Sequence, residues 1–296
     1  QALIQGSMDS KSKPAQVKIG VLYDIHYMSP ELLLNGAENG EAFQAYLAYD
    51  PKLLQFSDPI FRTALSKIQR EKPDILLIPG DLTKDGEAIC HEAVAGILQQ
   101  VIDNGTKVYV IPGNHDINNP EARQYNGNES SATPTITAAE FTALYKNCGY
   151  DEAIYKDAYS LSYISQPFTG LWILAIDDCK YYDNTDIAIV SGVIKDETMS
   201  WILQKLDEAR ANNIMVLGMM HHGIVEHFMG QNAVDPGYVT DNWQVNAEKL
   251  MNAGLKIMFT GHYHANDIPM WNANGKTLFD VETGSLVPPP SPYRMI

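Results

Sequence analysis

No run of about 18 apolar residues occurs in the 296-residue chain, so nothing in it is long enough to cross a bilayer as a helix. Basic clusters are missing as well. Lys and Arg number 21 against 36 Asp and Glu, giving a formal net charge of −15. A polyphosphate backbone is held by basic patches and repelled by an acidic surface, so long DNA or RNA is discounted as the main partner. Cysteine is scarce. Cys90, Cys148 and Cys179 are too few and too scattered for a disulfide framework or a thiolate zinc site, and three free thiols are expected. No internal repeat and no low-complexity linker is present. A secretory signal is not visible either, which decides little if a leader has been removed. Residues 1–15 are polar and aperiodic and read as a disordered lead-in, with Gly6-Ser7-Met8 as a tag remnant. Residues 16–296 read as one domain.

What the chain does have is enough apolar material for a sizeable core, 45% of its residues. Short β-branched runs stand at 17–23, 75–78, 107–111, 171–176, 214–217 and 256–260. Helical patterns lie between several of them. Ile60, Ala64, Leu65 and Ile68 recur at helical spacing, as do Ile89, Val94, Ile97, Leu98 and Val101. The second pattern stops at Asn104-Gly105, a good C-terminal signal. Residues 198–211 form a third. Strand alternating with helix predicts an α/β fold, and strands without clean alternation predict a sheet covered on both faces. Residues 28–57 and 118–135 break the pattern, and stretches of that length are either functional lids or surface insertions.

The polar residues that follow these strands are the informative part. After the first comes Asp24-Ile25-His26, and after the second Gly80-Asp81. After the third comes Gly113-Asn114-His115-Asp116. The 214–217 run is followed by His221-His222, and the 256–260 run by Gly261-His262-Tyr263-His264. Each is unremarkable alone: a turn, a helix cap, a surface pair. Together they put Asp, Asn and His on the carboxyl edge of successive strands, where an open α/β sheet binds ligands. Carboxylate and imidazole without thiolate suit Mn, Fe or Zn. The donors are too many for one ion, and two divalent ions about 3.5–4 Å apart are the usual clamp for in-line displacement at phosphorus.

In that combination and order the chain resembles the calcineurin-like metallophosphoesterases, over roughly residues 17–285. The resemblance implies a four-layer α-β-β-α sandwich and a metal-dependent phosphoester hydrolase that attacks with a hydroxide shared between two ions. It implies Asp24, His26 and His264 on one ion, Asn114, His221 and His262 on the other, and Asp81 bridging. It implies His115 near the phosphate as transition-state stabiliser or general acid, and Asp116 orienting nearby imidazoles. The family pattern places the ligand first in the histidine pair, which selects His221 over His222. Two divalent ions outweigh two carboxylates, so an anionic substrate is compatible with an acidic protein.

Several departures bear on the branch. Lys84 stands where purple acid phosphatases carry a ligating tyrosine, which excludes that branch. The chain ends in Val287-Pro288-Pro289-Pro290-Ser291-Pro292 and four further residues, where relatives continue with further strands, so C-terminal structure is expected to be missing. His91-Glu92 begins like a zincin helix, but Ala95 replaces the second histidine. Asp177-Asp178 either closes a strand or touches substrate or an outer histidine. His227 is expected at the surface or on a substrate loop. Residues 228–243 either pack under a loop or line the pocket, with Tyr238 and Trp243 as ring-stacking groups for substrate.

The substrate expected is a small phosphoester, diesters ahead of monoesters on family likeness alone. Other classes stay in view: a scaffold that has lost catalysis, a nuclease for short or single-stranded DNA, and a dinuclear hydrolase of a non-phosphorus ester. Oligomeric state is not legible, and a bacterial cell envelope is expected ahead of the cytoplasm.

Overall fold

The computed structural model describes residues 16–296, so the expected lead-in at 1–15 lies outside the described residues. Two sheets carry the architecture. The smaller has the order Arg294–Met295, Ile19–Val21, Ile75–Pro79, Lys107–Ile111. Its last three strands are parallel, and Arg294–Met295 pairs antiparallel along the outer side of Ile19–Val21. The larger has seven strands. Lys276–Glu282, Ile257–Thr260, Met215–Met220 and Leu171–Ile176 run parallel at its centre. Met270–Ala273 flanks one side, with Tyr163–Phe168 and Ala153–Lys156 on the other, all antiparallel to their neighbours.

Side-chain alternation shows how the layers stack. Along Leu171–Ile176, Leu171, Ile173 and Ala175 belong to the core shared with the smaller sheet. Trp172, Leu174 and Ile176 point the other way, into a second core with Met199, Ile202 and Leu206 of helix Asp196–Ala211 and Ala247, Leu250 and Met251 of helix Trp243–Ala253. Helices Ser57–Arg70 and Ala88–Asp103 pack their apolar stripes, including Phe61, Leu65, Ile68, Val94 and Leu98, with the smaller sheet. Helix, sheet, sheet and helix therefore form four layers, as the family pattern implies. Ala88–Asp103 ends at Asn104, and Gly105 takes φ +96°, a left-handed value that a glycine adopts without strain.

The two long irregular segments are not open loops. Residues 28–57 contain helix Glu41–Tyr49 and the short strand Leu33–Leu34, and residues 118–135 contain the hairpin Arg123–Asn126 with Glu129–Ala132. Leu33–Leu34 pairs parallel with Tyr125–Asn126, so the two insertions close into one three-stranded sheet. Phe43 seals it from within against Tyr125, ring centroids 4.9 Å apart. No helix among the described residues is long and apolar enough to cross a membrane.

Candidate metal centre

The central strands of both sheets end at one edge, and the polar residues that follow them converge there. The smaller sheet delivers Asp24, His26, Asp81 and Asn114, and the larger delivers His221, His262 and His264. All but His264 are buried. Donor atoms of Asp24, His26 and His264 gather in one group, and those of Asp81, His221 and His262 in another.

The donor atoms stand at distances that ligands of a shared ion would also have. His26 Nε2 and His264 Nε2 face each other at 3.4 Å. Asp81 Oδ2 lies 3.6 Å from His26 Nε2 and 3.5 Å from His221 Nε2, so a single carboxylate oxygen stands between the two imidazole groups. The Nδ1–H of His221 donates to the Pro79 carbonyl at 3.0 Å, which aims Nε2 at the centre, the nitrogen that a neutral ring would offer to an ion. Nε2 lies 3.0 Å from Asn114 Oδ1, close enough for the two atoms to share an ion in place of the proton between them. Asp24 Oδ1 is buried without a hydrogen-bond partner. Donors about 2.1 Å from a shared ion would stand ~3.0–3.5 Å apart, so the residues present fit divalent ions.

Charge leads to the same reading. In the ion-free protein burial pushes the Asp24 carboxyl up to about 8, with the neighbouring Asp81 and Glu282 charges adding to the effect. Burial works to lower the His221 pKa, but Asp81 and Asp24 outweigh it and raise it to about 10. Burial keeps a proton on one acid, and the neighbouring carboxylates place a charge on one imidazole. Burial also lowers His264 to about 4 and holds His26 and His262 well below the usual imidazole range, the neutral form that ligates.

The loops that hold these groups are tight. Asp24, His26, Asp81, His262 and His264 all take positive φ, from 41° to 72°, a region that costs a non-glycine residue about 1–3 kcal/mol unless its surroundings enforce it. The His262 N–H donates to Asp24 Oδ2 at 3.0 Å, tying the first loop to the last. The His115 N–H donates to Asp81 Oδ1 at 3.0 Å, which leaves Oδ2 free. Gly113 is dictated by close approach, since a Cβ there would sit 2.1 Å from Asp81 Oδ1.

Not every expected role stands. Asp116 was expected to orient imidazoles. Its carboxylate is buried and instead accepts from the backbone N–H groups of Gly113 (2.9 Å), Leu82 (3.1 Å) and Thr83 (3.0 Å), clamping the Asp81 and Asn114 loops together. Only its carbonyl meets an imidazole, that of the buried His91, at 2.8 Å. The imidazole-orienting carboxylate is Asp85, whose Oδ1 lies 3.0 Å from His115 Nδ1. Asp85 is itself paired with Lys84, which also lies 2.9 Å from Glu87. Trp243 was expected to stack on substrate, but it is buried in the helix-side core, edge-on to Trp271 at 5.3 Å. His227 is not at the surface; it is paired with Glu282 and stacked on the Tyr263 ring at 5.2 Å. His222 spends both ring nitrogens elsewhere, on Asp178 Oδ2 (3.0 Å) and the Val190 carbonyl (2.7 Å).

Above the donor groups lies a cavity of ≈ 260 Å³. His26, Asp81, Asn114, His115, His262 and His264 form its floor and inner wall. Val190, Tyr238, Tyr263 and Lys52 complete its lining. Tyr238 thus lies where the sequence placed it, its ring 5.0 Å from that of His262. Tyr263 and Lys52 were not anticipated. The signal for Tyr263 was its place between two candidate ligands; Lys52 had none, inside an insertion with no recognisable motif.

This fold and this edge of carboxylates and imidazoles define a metal-dependent hydrolase. A sequence profile of the calcineurin-like phosphoesterases matches residues 17–266. The chain belongs to that family, and is a hydrolase of phosphoric esters with a dinuclear metal site. Among solved structures it is similar to a dimetal phosphatase from Danio rerio, with 13% identity, a TM-score of 0.62, and coverage of 94% of this chain and 91% of that one. It is also similar to a purple acid phosphatase from yellow lupin (Lupinus luteus) seeds, 12% identical with a TM-score of 0.47, covering 84% of this chain and 38% of that one. A phosphopantetheinyl hydrolase from Mycobacterium tuberculosis is 12% identical with a TM-score of 0.44, covering 94% of this chain and 95% of that one. At these identities the likeness concerns the fold. Comparison with curated proteins found no match.

Proposed function

We propose that the chain hydrolyses a small phosphoester at this edge, with Asp24, His26 and His264 holding one divalent ion, Asn114, His221 and His262 holding a second, and Asp81 serving both. The donor chemistry suits Mn, Fe or Zn. The observation that carries the reading is Asp81 Oδ2, at 3.5–3.6 Å from imidazole nitrogens of both groups. When bound, such ions supply a hydroxide nucleophile at neutral pH and neutralise charge on the phosphoryl oxygens.

The protein's own share centres on His115. Its Nδ1–H donates to Asp85, which fixes the ring and turns Nε2 toward the pocket, 4.0 Å from Asp81 Oδ2. Burial works to lower the His115 pKa, but Asp81 and the Asp85 hydrogen bond outweigh it and raise it. The shift favours the imidazolium, whose Nε2–H faces the pocket and is the proton available to a departing alkoxide. Asp116 positions the two loops and does not touch the reacting atoms. Tyr238 and Tyr263 give the substrate an aromatic wall. Family likeness alone puts diesters first.

The test is initial rates on a chromogenic phosphomonoester and on a diester with the same leaving group, after loading with Mn²⁺. Turnover of at least one is expected. Asp81→Asn should abolish it by more than about a thousandfold, because losing a shared ligand disables both ions. Undiminished turnover by Asp81→Asn contradicts the assignment. No turnover with Mn, Fe, Zn or Co favours the scaffold reading.

A further inference from the structure

Lys52 is the feature of the pocket that the dinuclear reading leaves unused. Among the described residues it is the only lysine or arginine lining the catalytic cavity. It comes from residues 28–57, the insertion, and not from any strand end that builds the donor groups. Its ammonium is held in place from behind. Asp50 Oδ2 lies 3.4 Å from Nζ and accepts from the Tyr46 hydroxyl at 3.3 Å, while Asp50 Oδ1 accepts the Lys52 backbone N–H at 2.9 Å. The side chain is 13% exposed. An ammonium has three N–H donors, and Asp50 can take one of them, so the remainder are free for a ligand.

Lys52 also lines a second hollow of ≈ 620 Å³ on the insertion side, together with Tyr46, Tyr49, Tyr125 and Arg123. It therefore contributes to the lining of both the catalytic cavity and this larger hollow. Tyr46 and Tyr125 also fix the insertion's own fold, their rings 6.1 Å apart.

We propose that Lys52 is a specificity-determining residue that pairs with an unesterified, charged phosphate oxygen, so that the enzyme selects phosphomonoesters over phosphodiesters. This rests on the phosphoester-hydrolase reading above. A monoester is largely dianionic at neutral pH, its second pKa lying near 6, whereas a diester carries one charge. A monoester brings a third unesterified oxygen to the site, and a diester brings an alkoxy group in its stead. Against the ammonium, the extra oxygen makes a charge-assisted hydrogen bond. The alkoxy group would strip water from a cation and return nothing, a penalty that discriminates as well as the attraction does. The insertion thus acts on choice of substrate by charge, while the strand-end residues act on the chemistry common to both.

The experiment compares wild type, Lys52→Gln and Lys52→Arg, all loaded with Mn²⁺, on 4-nitrophenyl phosphate and methyl 4-nitrophenyl phosphate. These esters share a leaving group and differ by one charge. Binding of inorganic phosphate and of dimethyl phosphate is measured on the same proteins by calorimetry, which does not depend on turnover. Lys52→Gln is expected to lower kcat/KM for the monoester and affinity for inorganic phosphate by about 10- to 100-fold, the range of one hydrogen bond to a charged group. Diester turnover and dimethyl phosphate binding should change less than about threefold, within the effect of an exposed ion pair. Lys52→Arg should keep the monoester preference. Equal losses on both esters, or no loss on either, overturns the proposal while leaving the hydrolase reading intact. A wild-type protein that turns over neither ester and binds neither anion removes both.

Discussion

At the scale of single residues, the account depends on His115 receiving its orientation from Asp85 rather than from its neighbour Asp116. The two carboxylates are easily confused in the sequence, because Asp116 adjoins the histidine and Asp85 sits 30 positions away. In the tight turn after Lys107–Ile111 the side chain of Asp116 points back under the backbone, where Gly113, Leu82 and Thr83 saturate it. Adjacency in a turn therefore separates two side chains instead of joining them. The donor set was legible for the opposite reason. Asp24, His26, Asp81, Asn114, His221, His262 and His264 each follow a strand, and a parallel sheet brings strand ends to one edge whatever the sequence distance. The strained φ values at five of these positions left no trace in composition.

A prediction belongs at this scale. Asp85→Asn removes the carboxylate that stabilises the His115 imidazolium, so the His115 pKa should fall. His115 acts while protonated, and its raised pKa carries activity to higher pH. Without Asp85 the alkaline limb of the kcat/KM profile should therefore move to lower pH, and metal content should not change. His115→Gln should reduce turnover of an ester with an alkyl leaving group by about 10²–10⁴-fold, the usual share of a general acid. A 4-nitrophenyl ester, which departs without a proton, should lose far less. Equal losses on both esters, or an unmoved alkaline limb in Asp85→Asn, would show that His115 is not the proton donor.

At the scale of elements, most central strands were read within a residue or two where they are apolar and covered on both faces, but Lys276–Glu282, central in the larger sheet and polar in its first half, was not read as a strand. Lys107–Ile111 and Leu171–Ile176 fall where expected. The 214–217 run proves to be Met215–Met220, running to the residue before His221, because Gly218 reads as a break but lies flat in the ladder beside Met258. The strands of the insertions were not legible. Leu33–Leu34 has two residues, and Glu129–Ala132 is exposed throughout, so neither has an apolar face from which a period could be read. Trp243 was misread because aromatic residues in a Gly- and Asn-rich stretch look available. It is the first residue of helix Trp243–Ala253, and that helix turns its ring into the core. Trp243→Ala should therefore cost about 3–5 kcal/mol of stability, the cost of emptying a buried aromatic site. It should leave the relative rates among leaving groups unchanged. Urea unfolding paired with rates on several esters checks this, and a changed ranking without destabilisation would restore Trp243 to the pocket.

At the scale of the whole molecule, the centre joins two sheets that share only a core. Each proposed ion draws on both: Asp24 and His26 with His264, and Asn114 with His221 and His262. The bulk charge of −15 is no obstacle to an anionic substrate, because the proposed ions, with Lys52 beside them, would set the local sign. The most direct measurement is a titration of metal-stripped protein with Mn²⁺, following bound ion and initial rate together. The account predicts that the rate saturates at two ions per chain, and that Asp81→Asn binds neither ion tightly and stays inactive. Full activity with a single ion bound, or undiminished activity in the metal-stripped protein, would contradict it.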